Sequence, residues 1–253
     1  EKYKKYLYKK LQRDGLLERD VDRLIRNDRV AWGSSMIACK DADAMVTGNI
    51  RHYAASVEKL KKFVDPREGE TIFGMTIIVS KGKTILVADT NVQDFPSAER
   101  LVNTSISCVR VARLFGFEPK VAFLSHSTFG KPVSRNTKHV RDAIELLRSK
   151  KVNFDFDGEM QPDVALNPIY QEVYPFSKIV GKANILIMPA LHSAAISTKL
   201  MKTFGGAKLI GPLLIGLGLP IEVAPLRSST SDILNLASVA AYSAGVIDYN
   251  KKN

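Results

Sequence analysis

Cysteine, histidine and tryptophan are scarce in this sequence: two, four and one in 253 residues. Cys39 and Cys108 lie far apart, with no histidine or cysteine at metal-ligand spacing. A disulfide framework and a zinc finger are therefore excluded, and the pair reads as reduced, buried thiols of a cytoplasmic protein. No apolar run approaches the roughly 20 residues that cross a membrane, so no membrane partner is expected. Glu1 is followed by no signal-type apolar region, and the chain reads as a piece of something longer. There is no Walker A motif, no G-x-S-x-G elbow, and no zinc-finger, RNA-binding or KH signature. "GPLLIGLGLP" clusters Gly211, Gly216 and Gly218 but lacks the full G-x-G-x-x-G and opens no helix. Those glycines read as tight turns and close backbone packing rather than a dinucleotide site.

What is present is ordinary for a globular protein, with 45% hydrophobic and 25% charged residues. The length suits one large domain or two small ones. The net charge of +11 draws much of its excess from the ends. "EKYKKYLYKK" sets five lysines against one acid, and Lys251 and Lys252 stand at the other end. A solvated helix face accounts for this, with a polyanionic small ligand as the second reading; no nucleic-acid partner is expected.

Periodicity divides the chain. Tyr3, Tyr6, Leu7, Lys10 and Leu11 form one helical stripe over residues 3–14, stopped by Gly15. "LLERDVDRLIR" and "VAWGSSMIACK" predict a second and a third, more buried helix. "DAMVTG" predicts a short buried strand, and "RHYAASVEKLKKFV" a helix ended by Asp65-Pro66. From Thr71 the period becomes two: "TIFGMTIIVS", the turn "KGK" and "TILVADT" predict a hairpin. A helix over 97–115 follows. The strand "KVAFLSHS", a helix over 137–148, the strands "NFDFDGE" and "NILIMPAL", and a helix over 193–204 then alternate. Such alternation predicts an α/β fold with a mostly parallel sheet. The apolar segment "AKLIGPLLIGLGLPIEVAP" leads to a closing helix over 231–244. The leading helices and the closing helix differ in character from the middle. Two lobes are expected, residues 1–68 with 206–253 and residues 69–205, with a cleft between them.

Three polar stretches carry candidate chemistry. After the strand "KVAFL", Ser125, Ser127 and Thr128 are followed by a glycine-containing loop with Lys131 and Arg135 that enters a helix. Hydroxyls and cations at a strand's carboxyl end, beside a helix N-terminus, suit a phosphate; a polar loop with a solvated basic rim is the plainer reading. "PLRSSTSDIL" brings Arg227, Ser228, Ser229 and Asp232 to the start of the closing helix, where capping alone would also explain Ser229 and Asp232. "FDGEMQPDVALNP" strings Asp157, Glu159 and Asp163 behind a strand; with no nucleophile paired to them they read as a surface loop, and no metal is assigned.

Taken together, "ADAMVTG", "VADTNVQDFP", "FLSHSTFGKP", "VRDAIELL", "DGEMQPDVAL", "NILIMPAL" and "GPLLIGLGLPIEV…SDIL" resemble the phosphate acetyltransferase (phosphotransacetylase) family from about Leu11 to Tyr242. The resemblance implies the two-lobe isocitrate/isopropylmalate-dehydrogenase-like α/β fold, usually dimeric, with acyl-CoA and phosphate meeting between the lobes. It also implies a further N-terminal βαβ portion outside this chain, leaving the first lobe incomplete. The family writes "SRGCSxxD" before its last helix. Matching Asp232 to the final acid puts Pro225 at the serine and Leu226 at the arginine. Counting from Gly48, Glu58 stands where the family has a catalytic arginine, and family "PDLNTGN" is Pro189–Ala195 here. Arginine forks stabilise the charge that builds on phosphate and carbonyl oxygen during acetyl transfer, and losing one such contact costs about 10²-fold or more in rate. With a carboxylate in place of one arginine, the machinery for turnover is expected to be dismantled and no catalytic residue is assigned.

The same departures, with "NIRHYAASVEKL" and "APLRSSTSDILNLASVAAY", resemble the C-terminal phosphotransacetylase-like domain of large bacterial NADP-dependent malic enzymes. That resemblance implies a regulatory module that senses acetyl-CoA as an effector and helps the protein oligomerise as a dimer or higher. Its partners would be the malic and nucleotide-binding domains of the same chain. Oxidative decarboxylation of malate to pyruvate, NADP and a divalent metal would belong to those domains, and this chain itself would hold no cofactor. The alternative is an active phosphate acetyl/butyryltransferase moving an acyl group between CoA and phosphate.

Overall fold

The structure is a computed structural model that describes residues 1–88, 92 and 94–252, with the backbone alone for Gln171 and residues 246–252. Nine helices and eight strands alternate among the described residues. In chain order they are α1 Lys2–Leu11, α2 Glu18–Asn27, α3 Arg29–Ala38, β1 Met45–Gly48, α4 Tyr53–Phe63, β2 Phe73–Ser80 and β3 Lys83–Ala88. There follow α5 Ala98–Leu114, β4 Lys120–Leu124, α6 Lys138–Ser149, β5 Asp155–Met160, α7 Pro162–Leu166 and β6 Ile185–Ile187. The chain continues with α8 Leu191–Thr203, β7 Lys208–Ile215, β8 Ile221–Ala224 and α9 Thr230–Lys252. The chain divides into two compact units, Glu1–Ile72 with Gly216–Asn253, and Phe73–Ile215.

In the first unit β1 and β8 pair in parallel, Met45 opposite Ile221 through Gly48 opposite Ala224. Helices α3, α4 and α9 pack on them, and α1 and α2 pack in turn on α3. The predicted stripe on α1 buries Leu7 and Leu11, and Gly15 at φ 85° closes the turn that follows. The Asp20 carboxylate accepts from the Leu17 backbone N–H to start α2. Asp28 starts α3 by accepting from the Val30 and Ala31 N–H groups. Leu7, Val57, Leu60 and Val223 are at most 2% exposed, and burying each such side chain is worth about 1.5–3 kcal/mol. Gly48 is fixed by its neighbour: at φ 109°, a Cβ there would stand 2.3 Å from the Ala224 carbonyl oxygen. On the lysine-rich α1, Lys2, Lys4 and Lys10 pair with Asp41, Asp22 and Asp65, while Lys5 and Lys9 face solvent. β1 is half-buried along its whole length rather than buried.

The second unit is a six-stranded sheet ordered β5-β4-β6-β3-β2-β7. The β2–β3 hairpin turns through Lys81 and Gly82, both at positive φ, which matches the twist of the strands they join. From β3 to β5 the strands run parallel, and β7 adds antiparallel to β2. That last pairing moves the boundaries: residues 206–215, expected in the first lobe, join the second unit because β7 hydrogen-bonds along β2. Phe73, Phe123, Leu147 and Ile185 are fully buried at its centre. Asp89 and Thr90, which end the predicted strand "TILVADT", lie outside the described residues. The short helix α7 and a 3₁₀ turn at Pro168–Gln171 occupy a stretch that reads as loop in the sequence. Among the described residues no helix is long and apolar enough to cross a membrane. Cys108 is buried, Cys39 is only half-buried, and neither is in a disulfide.

Candidate functional site

The loop from Ser125 to Arg135 leaves the carboxyl end of β4. The chain steps from β4 out to β5 and then back past β4 to β6. Such a reversal of strand order leaves a crevice at the strand ends, the usual ligand position in parallel α/β sheets. Phe129 and Gly130 both take positive φ, and Thr128 and Lys131 exchange backbone hydrogen bonds at 2.8 and 3.1 Å around them. The Phe129 ring packs on Tyr174 and Phe176. Lys131 and Arg135 are exposed.

The three hydroxyls face inward. Ser125, Ser127 and Thr128 are all buried, Ser127 completely. Ser127 donates to Glu159 Oε1 at 2.7 Å and lies 3.2 Å from the Ser125 hydroxyl. Thr128 Oγ1 accepts from the Gln161 N–H at 3.2 Å. Glu159 also accepts from the Gly130 N–H and from Arg141, which in turn reaches Ser134 O and Thr137 Oγ1. The structure therefore brings the hydroxyls together as the loop's internal frame, with the two cations left at the surface.

This overturns the reading of "FDGEMQPDVALNP" as a surface loop. Asp157 and Glu159 lie on β5 and are 3% and 1% exposed; only Asp163 is at the surface. Asp157 accepts from the Lys178 and Gly158 N–H groups and pairs with Arg148, while Glu159 pairs with Arg141. A signal for this was present. Acids two apart on a strand share a face, and arginines seven apart on a helix share a stripe. The sequence does not show that the two rows meet.

In the first unit the turn after β8 is held by its own hydroxyls and by Asp232. Ser228 Oγ donates to Pro225 O, and Ser229 and Asp232 bond reciprocally, each accepting from the other's backbone N–H. Leu226 is exposed. Arg227 is held at φ 61°, a left-handed conformation that glycine adopts freely. Its backbone N–H donates to Asn49 O, and its side chain is at the surface. Glu58 turns to solvent on α4 and pairs with Lys61 at 2.7 Å. His192, within the altered "PALHSAA", is exposed at the start of α8.

A cavity of about 650 Å³ also opens within the first unit, along β1 and the ends of α3 and α4. Arg29, Arg51 and Lys59 line it, and none was singled out in the sequence. Lys59 is held by Asp28. Burial pushes the Asp28 carboxyl up, but the Lys59 ammonium and the Ala31 and Val30 N–H groups outweigh it and leave it below the usual carboxylate range. No cluster of three metal-ligating side chains occurs among the described residues.

Residues 1–241 match the phosphate acetyl/butaryl transferase family. An NADP-dependent malic enzyme of Rhizobium meliloti is 45% identical over 96% of this chain, which spans 32% of that protein. A phosphate acetyltransferase of Bacillus subtilis is 29% identical over 92% of the chain and is itself 73% covered. Among solved structures, a phosphotransacetylase from Streptococcus pyogenes superposes with a TM-score of 0.87 at 27% identity, over 96% of this chain and 74% of that one. The chain thus spans about a third of the malic enzyme it matches. It belongs to the phosphate acetyl/butaryl transferase family and matches the phosphotransacetylase-like domain of NADP-dependent malic enzymes.

Proposed function

We propose that this chain is a regulatory acetyl-CoA-binding module of an NADP-dependent malic enzyme and does not itself transfer acetyl groups. The observation that carries the reading is the turn at Pro225–Asp232. Its capping frame is intact, while the positions that the family fills with serine and arginine hold Pro225 and an exposed Leu226. Glu58 stands where the family has an arginine; turned to solvent and paired with Lys61, it offers a phosphate no cation. Binding does not need those groups. Lys131 and Arg135 remain as exposed cations on a built loop, suited to the phosphates of acetyl-CoA. A module that binds acetyl-CoA without consuming it can report its concentration to malic domains elsewhere in the same chain. Such coupling is usually worth ~1–3 kcal/mol, or about 5–150-fold in affinity.

The alternative, an active phosphate acetyl/butyryltransferase, draws on Arg227, one position from the lost arginine. A thioester assay with acetyl phosphate and CoA separates the two readings: no product is expected, and turnover in the usual range of about 1–10³ s⁻¹ would restore the transferase. In the intact malic enzyme, NADPH formation should fall as acetyl-CoA is added, and the pair Lys131→Ala/Arg135→Ala should weaken that response. A response curve that stays flat in the wild type ends the sensor reading.

A further inference from the structure

The Ser125–Arg135 loop is held from below by one ion pair. Glu159, 1% exposed, gathers the Ser127 hydroxyl at 2.7 Å, the Gly130 N–H at 3.2 Å and Arg141 Nη1 at 3.4 Å on a single carboxylate oxygen. Its backbone carbonyl takes the Phe129 N–H at 2.7 Å. Arg141 grips the other limb, donating to Ser134 O at 3.0 Å and Thr137 Oγ1 at 2.6 Å. Both limbs, 127–130 and 134–137, are therefore tied to one charge pair, and the exposed Lys131 and Arg135 ride on the span it fixes.

A neutral acceptor would satisfy Ser127 and Gly130 equally well. A carboxylate does two further things. It draws in Arg141, and it cancels the Arg141 charge, so that the guanidinium serves the loop instead of acting as an anion site of its own. We propose that Glu159 and Arg141 are positioning residues for the cations Lys131 and Arg135, setting their separation before a ligand arrives and so lowering the ordering cost of binding. This rests on the reading that Lys131 and Arg135 take the phosphates of acetyl-CoA.

The test uses the whole protein with Glu159→Gln, which keeps shape and acceptor but removes the charge, and Arg141→Lys, which keeps the charge but removes the fork. Without ligand, amide exchange at Thr128, Phe129, Gly130 and Lys131 should rise about tenfold or more in both variants, the usual scale for a charged hydrogen bond. Circular dichroism should be unchanged. The double variant should be no worse than either single one, because the two residues act as a unit. In calorimetry the acetyl-CoA Kd should rise about tenfold, and its dependence on salt should flatten as the two cations cease to engage together. Unchanged exchange in both variants overturns the latch. Raised exchange with unchanged affinity and salt dependence overturns the positioning role. A wild type that takes up no acetyl-CoA overturns the ligand reading, while the exchange result still decides the latch. Should Glu159→Gln fail to fold, Arg141→Lys carries the same decisions, since Arg141 is partly exposed.

Discussion

The stretches after β4 and after β8 are alike in composition: serines and a threonine, cations among or beyond them, then a helix. Their structures differ. Ser127 is completely buried and donates across 32 residues to Glu159. Ser229 is exposed and bonds three residues ahead to Asp232. One hydroxyl set joins separate elements of a sheet unit; the other only starts a helix. What a hydroxyl does is decided by where its carboxylate comes from, and that difference assigns loop architecture to the first stretch and helix capping to the second.

The strongest way to break this contrast is the pair Lys131→Ala/Arg135→Ala. Removing both cations should raise the acetyl-CoA Kd by about 10–100-fold, as expected for two charge-assisted contacts. Unchanged affinity by calorimetry moves the ligand off this loop. Ser127→Ala comes next. It leaves Glu159 short of a donor in a buried place and should cost about 1–3 kcal/mol in urea unfolding, with a loss under 0.5 kcal/mol arguing that the hydroxyl is dispensable. Ser229→Ala removes only a cap and should cost about 1 kcal/mol, with acetyl-CoA affinity unchanged; a drop in affinity would make this turn a ligand contact. Smallest is Arg227→Gly. Relief of the left-handed strain offsets the greater freedom of glycine when unfolded, so stability should hold or rise by up to ~1 kcal/mol. A clear loss in Tm would mean that the Arg227 side chain stabilises the turn.

Much of the fold was legible because it is locally encoded. The period of two in "TIFGMTIIVS" with the turn "KGK" marked the hairpin, and the helix expected over 97–115 is α5, whose Arg100 N–H donates to Ser97 Oγ at 3.3 Å. The edge of the second unit was not legible, since β7 is glycine-interrupted and its partner β2 lies some 135 residues earlier. The candidate loop was found from its hydroxyls and cations, but its foundation was missed. Asp157 and Glu159 look like solvent acids until Arg148 and Arg141 are seen to reach them from α6. Burial of a charge is a property of the pair, and pairing across elements leaves no mark in either segment alone.

The strand pairings also govern how the protein is made. The sheet of the second unit begins with β2 at Phe73 and is closed by β7 at Ile215, and the first unit joins β1 near residue 45 to β8 near residue 224. Neither can be completed before β7 and β8 have emerged from the ribosome. Strands β1 and β2 must therefore wait for partners made much later, and such long-range pairing makes folding slow and leaves strand edges exposed meanwhile.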